Sequence, residues 1–177
     1  GSEMCIRDSS DITIRNPLAR IKSLKEVKNK KIRALCTEEV QVLLSKTKKV
    51  YPDFYPLLFT AIFTGMRQGE LVALTWNSIN WVTKKNTVDK NYTHGKLGTP
   101  KTGKIRVIDI SDELVKVLRE WRIACPHSEC NLIFPNNDGN YQSAENMLKR
   151  RFLPALNRAG IDKIRFHDLR LTYASLP

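Results

Sequence analysis

A chain of 177 residues can bury roughly two thirds of its unfolded surface, enough for one main core and little more. Thirty Lys and Arg against eighteen Asp and Glu give a net charge of +12 and a pI near 9.7, an excess that favours polyanions, nucleic acid first, over neutral or acidic partners. No apolar run reaches the roughly 18 to 20 residues of a membrane span, and the N-terminus has no apolar secretory core; the four irregularly spaced cysteines make no disulfide framework, so a soluble, cytoplasmic protein with reduced thiols is expected.

In chain order, residues 1–10 contain the stretch MCIRDS and read as a non-native leader outside the fold. Residues 11–33 form a basic segment. Arg15, Arg20, Lys22, Lys25, Lys28, Lys30, Lys31 and Arg33 stand there against the single acid Glu26, a block that repels itself unless phosphates neutralise it. It reads as a strap on DNA or as a solvated linker. The globular part is expected over 34–177. Thr37 is the predicted cap of a first helix running to about residue 49, with Glu38 and Glu39 favoured by the helix dipole and Val40, Leu43 and Leu44 on its apolar face. A second helix is expected over 54–64, with Pro56 in its first turn and Gly65 as its stop. A third follows over 67–75.

The pattern turns to β over 86–110. Segments 87–92 and 105–110 alternate as strands, and Gly95, Gly98, Pro100 and Gly103 punctuate the connection, giving a small antiparallel hairpin or three-stranded sheet with Lys101 at its tip. Helices return over 112–122, capped by Ser111, and over 143–159, where Pro154 should kink or split the helix. The pattern is mainly α with a small antiparallel sheet, an α+β architecture. An apolar helical pattern (Leu169, Tyr173, Leu176) then meets Pro177 with no capping sequence, so the chain is expected to stop within an element.

Arg67, His167 and Arg170 are residue types suited to a phosphodiester. Arginine offers a planar fork to two phosphate oxygens, and histidine exchanges a proton near neutral pH. Four blocks then occur in order: TGMRQGELVALTWNSIN, TPKTGKIRVIDI, LIFPNNDGNYQSAENMLKRRF and RFHDLRLTYASL. With two arginine boxes and a lysine between them, the chain resembles the catalytic domain of tyrosine recombinases, the phage integrase family, over about residues 33–177. The segment before it resembles the linker from a core-binding domain.

The resemblance implies a site-specific DNA recombinase that cleaves and rejoins strands through a covalent 3′-phosphotyrosine, on double-stranded DNA and alongside other recombinase protomers. Arg67 and Arg170 would clamp the phosphate, Lys101 would protonate the departing 5′ oxygen, and His167 would either exchange a proton with the attacking phenol or bond the phosphate. No metal or cofactor is implied, because the phosphotyrosine conserves the bond energy for religation. Glu70, one turn after Arg67, either orients a guanidinium or makes a plain i, i+3 pair. Lys104 and Arg106 join the basic segment as expected DNA contacts.

Leu171 departs from the family pattern, which often has a second histidine there. The family's nucleophilic tyrosine and the His or Trp before it would lie beyond residue 177, which makes the catalytic domain incomplete and cleavage by this chain alone unexpected. Tyr173, three residues after Arg170, is expected to pack its ring inside. Cys125, His127 and Cys130 are softly ligating, but a Cys-Pro turn leading to an apolar strand over 132–134 accounts for them better than zinc. His94 and His127 read as surface loop residues. The competing functional class is a DNA-binding remnant or accessory module without catalysis.

Overall fold

Thr37–Val50 (α1) is the first helix in the described part of the chain, which in the computed structural model comprises residues 33–100 and 103–176. Its cap is Cys36, one residue before the expected Thr37. Cys36 is extended (φ −76°, ψ 167°), and the Glu39 carboxylate reaches back to accept the Cys36 N–H at 3.1 Å, closing the first turn from the acid's side. Val40, Leu43 and Thr47 form the buried stripe, which packs on Leu153–Ala159 (α6).

Tyr55–Thr64 (α2) is the central helix, buried on nearly every face. Its apolar sequence requires that, and its two interior hydroxyls are satisfied locally: Thr60 donates to the Pro56 carbonyl at 2.7 Å and Thr64 to the Thr60 carbonyl at 2.6 Å. Proline stands in the first turn, and Gly65 ends the helix in the left-handed region at φ 57°, as its residue type predicts. Around α2 pack Asp112–Ala124 (α4) and Leu169–Ser175 (α7). Leu43, Leu57, Leu58, Ile62, Met66, Leu71, Leu114, Leu118, Phe134, Phe152 and Leu169 meet in one continuous core.

Gln68–Val72 (α3) is shorter than expected. The chain leaves it because tertiary partners take its backbone groups: the Leu74 carbonyl accepts the Ile133 N–H at 2.9 Å, and the Trp76 N–H donates to Asn131 at 3.0 Å. Residues 132–134 therefore make a bridge to Thr75 rather than a strand. A three-stranded antiparallel sheet follows, ordered Ile79–Asn80 (β1), Lys85–Val88 (β2) and Arg106–Asp109 (β5). Val88 pairs with Arg106 and Asn86 with Ile108. Between β2 and β5 a separate hairpin, Asn91–Thr93 (β3) with Lys96–Gly98 (β4), turns at His94 and Gly95. The expected strand over 87–92 is thus two strands, and Lys101 lies beyond that hairpin, outside the described residues.

Ala144–Met147 (α5) and α6 flank a wide π-turn over Leu148–Phe152. The Leu153 N–H reaches back to the Leu148 carbonyl, so the break expected at Pro154 falls just before it. Proline lacks an N–H and crowds the carbonyl four residues earlier, and a widened turn accommodates both. A buried hydrogen bond from the Leu35 N–H to the Thr172 hydroxyl, 3.0 Å long across 137 residues, ties the segment before α1 to α7.

Candidate active site

Gly65 turns the chain out of α2 and delivers Arg67, extended at φ −71° and ψ 151°, as the residue that opens α3. Its N–H donates to Glu70 Oε2 at 2.8 Å, and its Nη1 donates to Oε1 at 3.1 Å. Glu70 thereby caps the helix and holds the guanidinium at once. The carboxylate has no exposed side-chain surface. A buried charge of that kind needs full compensation.

Arg106 on β5 supplies the remainder. Its Nη1 donates to Glu70 Oε1 at 2.9 Å and its Nη2 to Oε2 at 2.6 Å, a bidentate pair. Burial pushes the Glu70 carboxyl up, but the bonds from Arg106, the Arg67 N–H and the neighbouring positive charges outweigh it and hold the group below the ordinary carboxylate range. The same pairing holds Arg106 more firmly protonated.

The second arginine comes from the other end of the described chain. Asp168, buried, accepts the Arg165 N–H at 3.0 Å and the Arg165 guanidinium at 2.9 and 3.1 Å. That pairing shapes the single turn Phe166–Asp168 from which α7 continues. His167 is exposed on this turn. One turn on, Arg170 Nη1 donates to the Gly65 carbonyl, two residues from Arg67. Desolvation, then the like charges of Arg67 and Arg106, lower the Arg170 pKa, with Glu70 opposing them. Glu70 is thus shared by two guanidiniums, Arg67 and Arg106, with a third, Arg170, close enough for their charges to act on it, and an open cavity of about 510 Å³ beside them is lined by Gly65, Arg106, Val107, Asp109, Arg170 and Tyr173.

The structure thus brings Arg67 and Arg170 together and sets Glu70 behind Arg67. Lys101 and the basic residues from Arg15 to Lys31 lie outside the described residues. Lys104 is exposed on the approach to β5. Arg33 pairs with Glu39 and, at 3.8 Å, with Asp162. Arg106, expected as a DNA contact, is bonded to Glu70, with 31% of its side chain exposed. Sequence reasoning missed this partner; its signal was strand alternation, which puts Arg106 on the inward face of β5 with Ile108, opposite buried Val88 and Asn86.

Tyr173 corrects an expectation. The residue is 46% exposed rather than packed inside, its ring lying over Gly65: a methyl group built on that glycine would come within 2.7 Å of Tyr173 Cδ1. Tyr92 and Tyr141 stack on one another at 4.2 Å and 10°, and the guanidiniums of Arg151 and Arg158 stand over the Tyr51 ring at 5.4 and 5.7 Å from its centre. The Cys125 thiol, raised by burial, points at the carbonyls of Pro126 and Ile133 at 3.4 and 3.5 Å. His94 and His127 are exposed. Among the described residues no helix is long and apolar enough to cross a membrane.

Arginines from the two ends of the described, mainly helical chain thus meet beside a small sheet. The family model described as "Phage integrase family" matches residues 33–176, and the chain belongs to that family. It is 28% identical to the ICEBs1 integrase of Bacillus subtilis (strain 168) over 94% of this chain and 48% of that protein. It is 31% identical to a XerC-like tyrosine recombinase of Caldanaerobacter subterraneus subsp. tengcongensis over 67% of this chain and 37% of the relative. The chain thus spans half or less of the length of these curated relatives. The Tn1549 transposon integrase, solved in complex with a circular intermediate DNA, shares the fold with a TM-score of 0.72 at 18% identity, over 82% of this chain and 53% of that one.

Proposed function

We propose that this chain supplies the phosphate clamp of a DNA strand-transfer site, in which Arg67 and Arg170 hold the two non-bridging oxygens of a scissile phosphodiester in duplex DNA. Cleavage and rejoining through a 3′-phosphotyrosine places extra negative charge on those oxygens. One preorganised cationic donor aimed at such charge is typically worth about 3 kcal/mol of the barrier. The observation that carries the reading is the Arg170 guanidinium bonded to the Gly65 carbonyl, two residues from Arg67, beside a cavity that Arg170 and Arg106 line.

In this reading Lys101 is the general acid for the 5′ oxygen, and His167 exchanges a proton with the phenol or bonds the phosphate. Glu70 holds Arg67 in place. Residues 15–33 and Lys104 track the DNA backbone. The partners are duplex DNA and further recombinase protomers, and the work is done in the bacterial cytoplasm on the nucleoid.

Fluorescence anisotropy with a labelled duplex, across a salt series, tests the clamp. The chain is expected to bind with affinity falling steeply as salt rises. Arg67→Ala or Arg170→Ala should weaken binding by about 1 to 3 kcal/mol for any duplex and reduce the salt slope by about 1. Salt-insensitive binding, or an affinity indifferent to both substitutions, would overturn the proposal.

A further inference from the structure

We infer that Arg106 is a positioning residue for the clamp: it acts on Arg67 through the buried Glu70 carboxylate, and so couples the docking of strand β5 to the aim of the first phosphate-binding guanidinium. The inference deepens the reading above and rests on it.

The geometry assigns Arg106 two hydrogen bonds, and both go to Glu70. Each Glu70 oxygen is shared between the two arginines. Oε1 accepts from Nη1 of Arg67 and of Arg106, while Oε2 accepts from the Arg67 N–H and Arg106 Nη2. The carboxylate therefore cannot rotate toward one arginine without loosening the other. With no exposed surface, it has no water to substitute for a lost partner.

Removing Arg106 would leave a buried anion whose remaining charged partner is Arg67. The acid would then draw the Arg67 guanidinium closer to itself and away from Arg170, whose charge it now neighbours. Arg106 is paired with Val88 in the sheet and stands five residues after Lys101. Seating β5 thus completes the Glu70 pairing. A direct phosphate contact by Arg106 predicts a different outcome, because its effect would not depend on Glu70.

A double-mutant cycle with the chain of 177 residues separates the two. Arg106→Gln, Arg106→Lys, Glu70→Gln and Arg106→Gln/Glu70→Gln would be measured for duplex affinity and salt slope, with thermal melts to confirm folding. Arg106→Gln is expected to weaken binding on the order of tenfold, with Arg106→Lys recovering part of the loss and the double variant binding about as well as Glu70→Gln alone. Additive losses, with the slope falling by about 1 whenever Arg106 is absent, would overturn the inference in favour of direct contact. An Arg106→Gln variant that binds like the parent would also overturn it. If Arg106→Gln fails to fold, the double variant and Arg106→Lys still decide: a double variant weaker than Glu70→Gln, or a lysine that recovers nothing, counts against coupling. Arg67→Ala measured in parallel distinguishes the failures, since its indifference would sink the clamp itself, while a loss there with additive Arg106 effects sinks only the coupling.

Discussion

Glu70 is a fully buried carboxylate held by two arginines, and its stability consequences are sharp. Its carboxyl pKa is lowered in the folded state, so the group contributes fully above its unfolded value of about 4.3 and loses that contribution as pH falls through the lower folded value. Urea unfolding between pH 6 and 3 should therefore show a steep loss that Glu70→Gln makes shallower. Arg106→Met, which strands the acid, should cost about 3 to 5 kcal/mol. Pairing it with Glu70→Leu should recover all but about 1 kcal/mol, the value of the Arg67 N–H cap that the leucine cannot restore. At this scale the approach of Arg67 and Arg170 to one another was legible from the order of the blocks that carry them. The Arg106 pairing was not, because it spans 36 residues and depends on which face of a short strand turns inward.

Helix ends set by local chemistry were readable, and those set by distant partners were not. Proline in the first turn and Gly65 at the end bounded α2, and Ser111 capped α4 by accepting the Leu114 N–H at 3.2 Å. The early end of α3 and the absence of a strand over 132–134 share one cause, the exchange of backbone hydrogen bonds between residues 74–76 and 131–133. No window of sequence contains both sides of that exchange. Gly65 offers a test at this scale. Its positive φ, and the Tyr173 ring 2.7 Å from where an alanine methyl would stand, should make Gly65→Ala destabilising by about 1 to 3 kcal/mol. Gly65→Ala/Tyr173→Ala should regain only the steric part, as read by thermal melts, because the backbone strain persists. A double variant as stable as Tyr173→Ala would show that the left-handed turn costs nothing.

Across the whole molecule, the α+β architecture was visible as a period change from helix to strand and back, while the second hairpin inside the sheet connection was not, since Asp89 and Lys90 only interrupt an otherwise strand-like run. The tie between Leu35 and Thr172 belongs to this scale. The Thr172 hydroxyl accepts from Leu35 and donates to the Asp168 carbonyl at 3.4 Å, so Thr172→Val should leave a buried donor unanswered and cost about 1 to 3 kcal/mol. Deuterium exchange at the Leu35 amide should quicken in that variant. The amide is a gauge already installed in the fold: its exchange rate reports the seating of the helix that carries Arg170, and tension applied at residue 35 is felt two residues from that guanidinium.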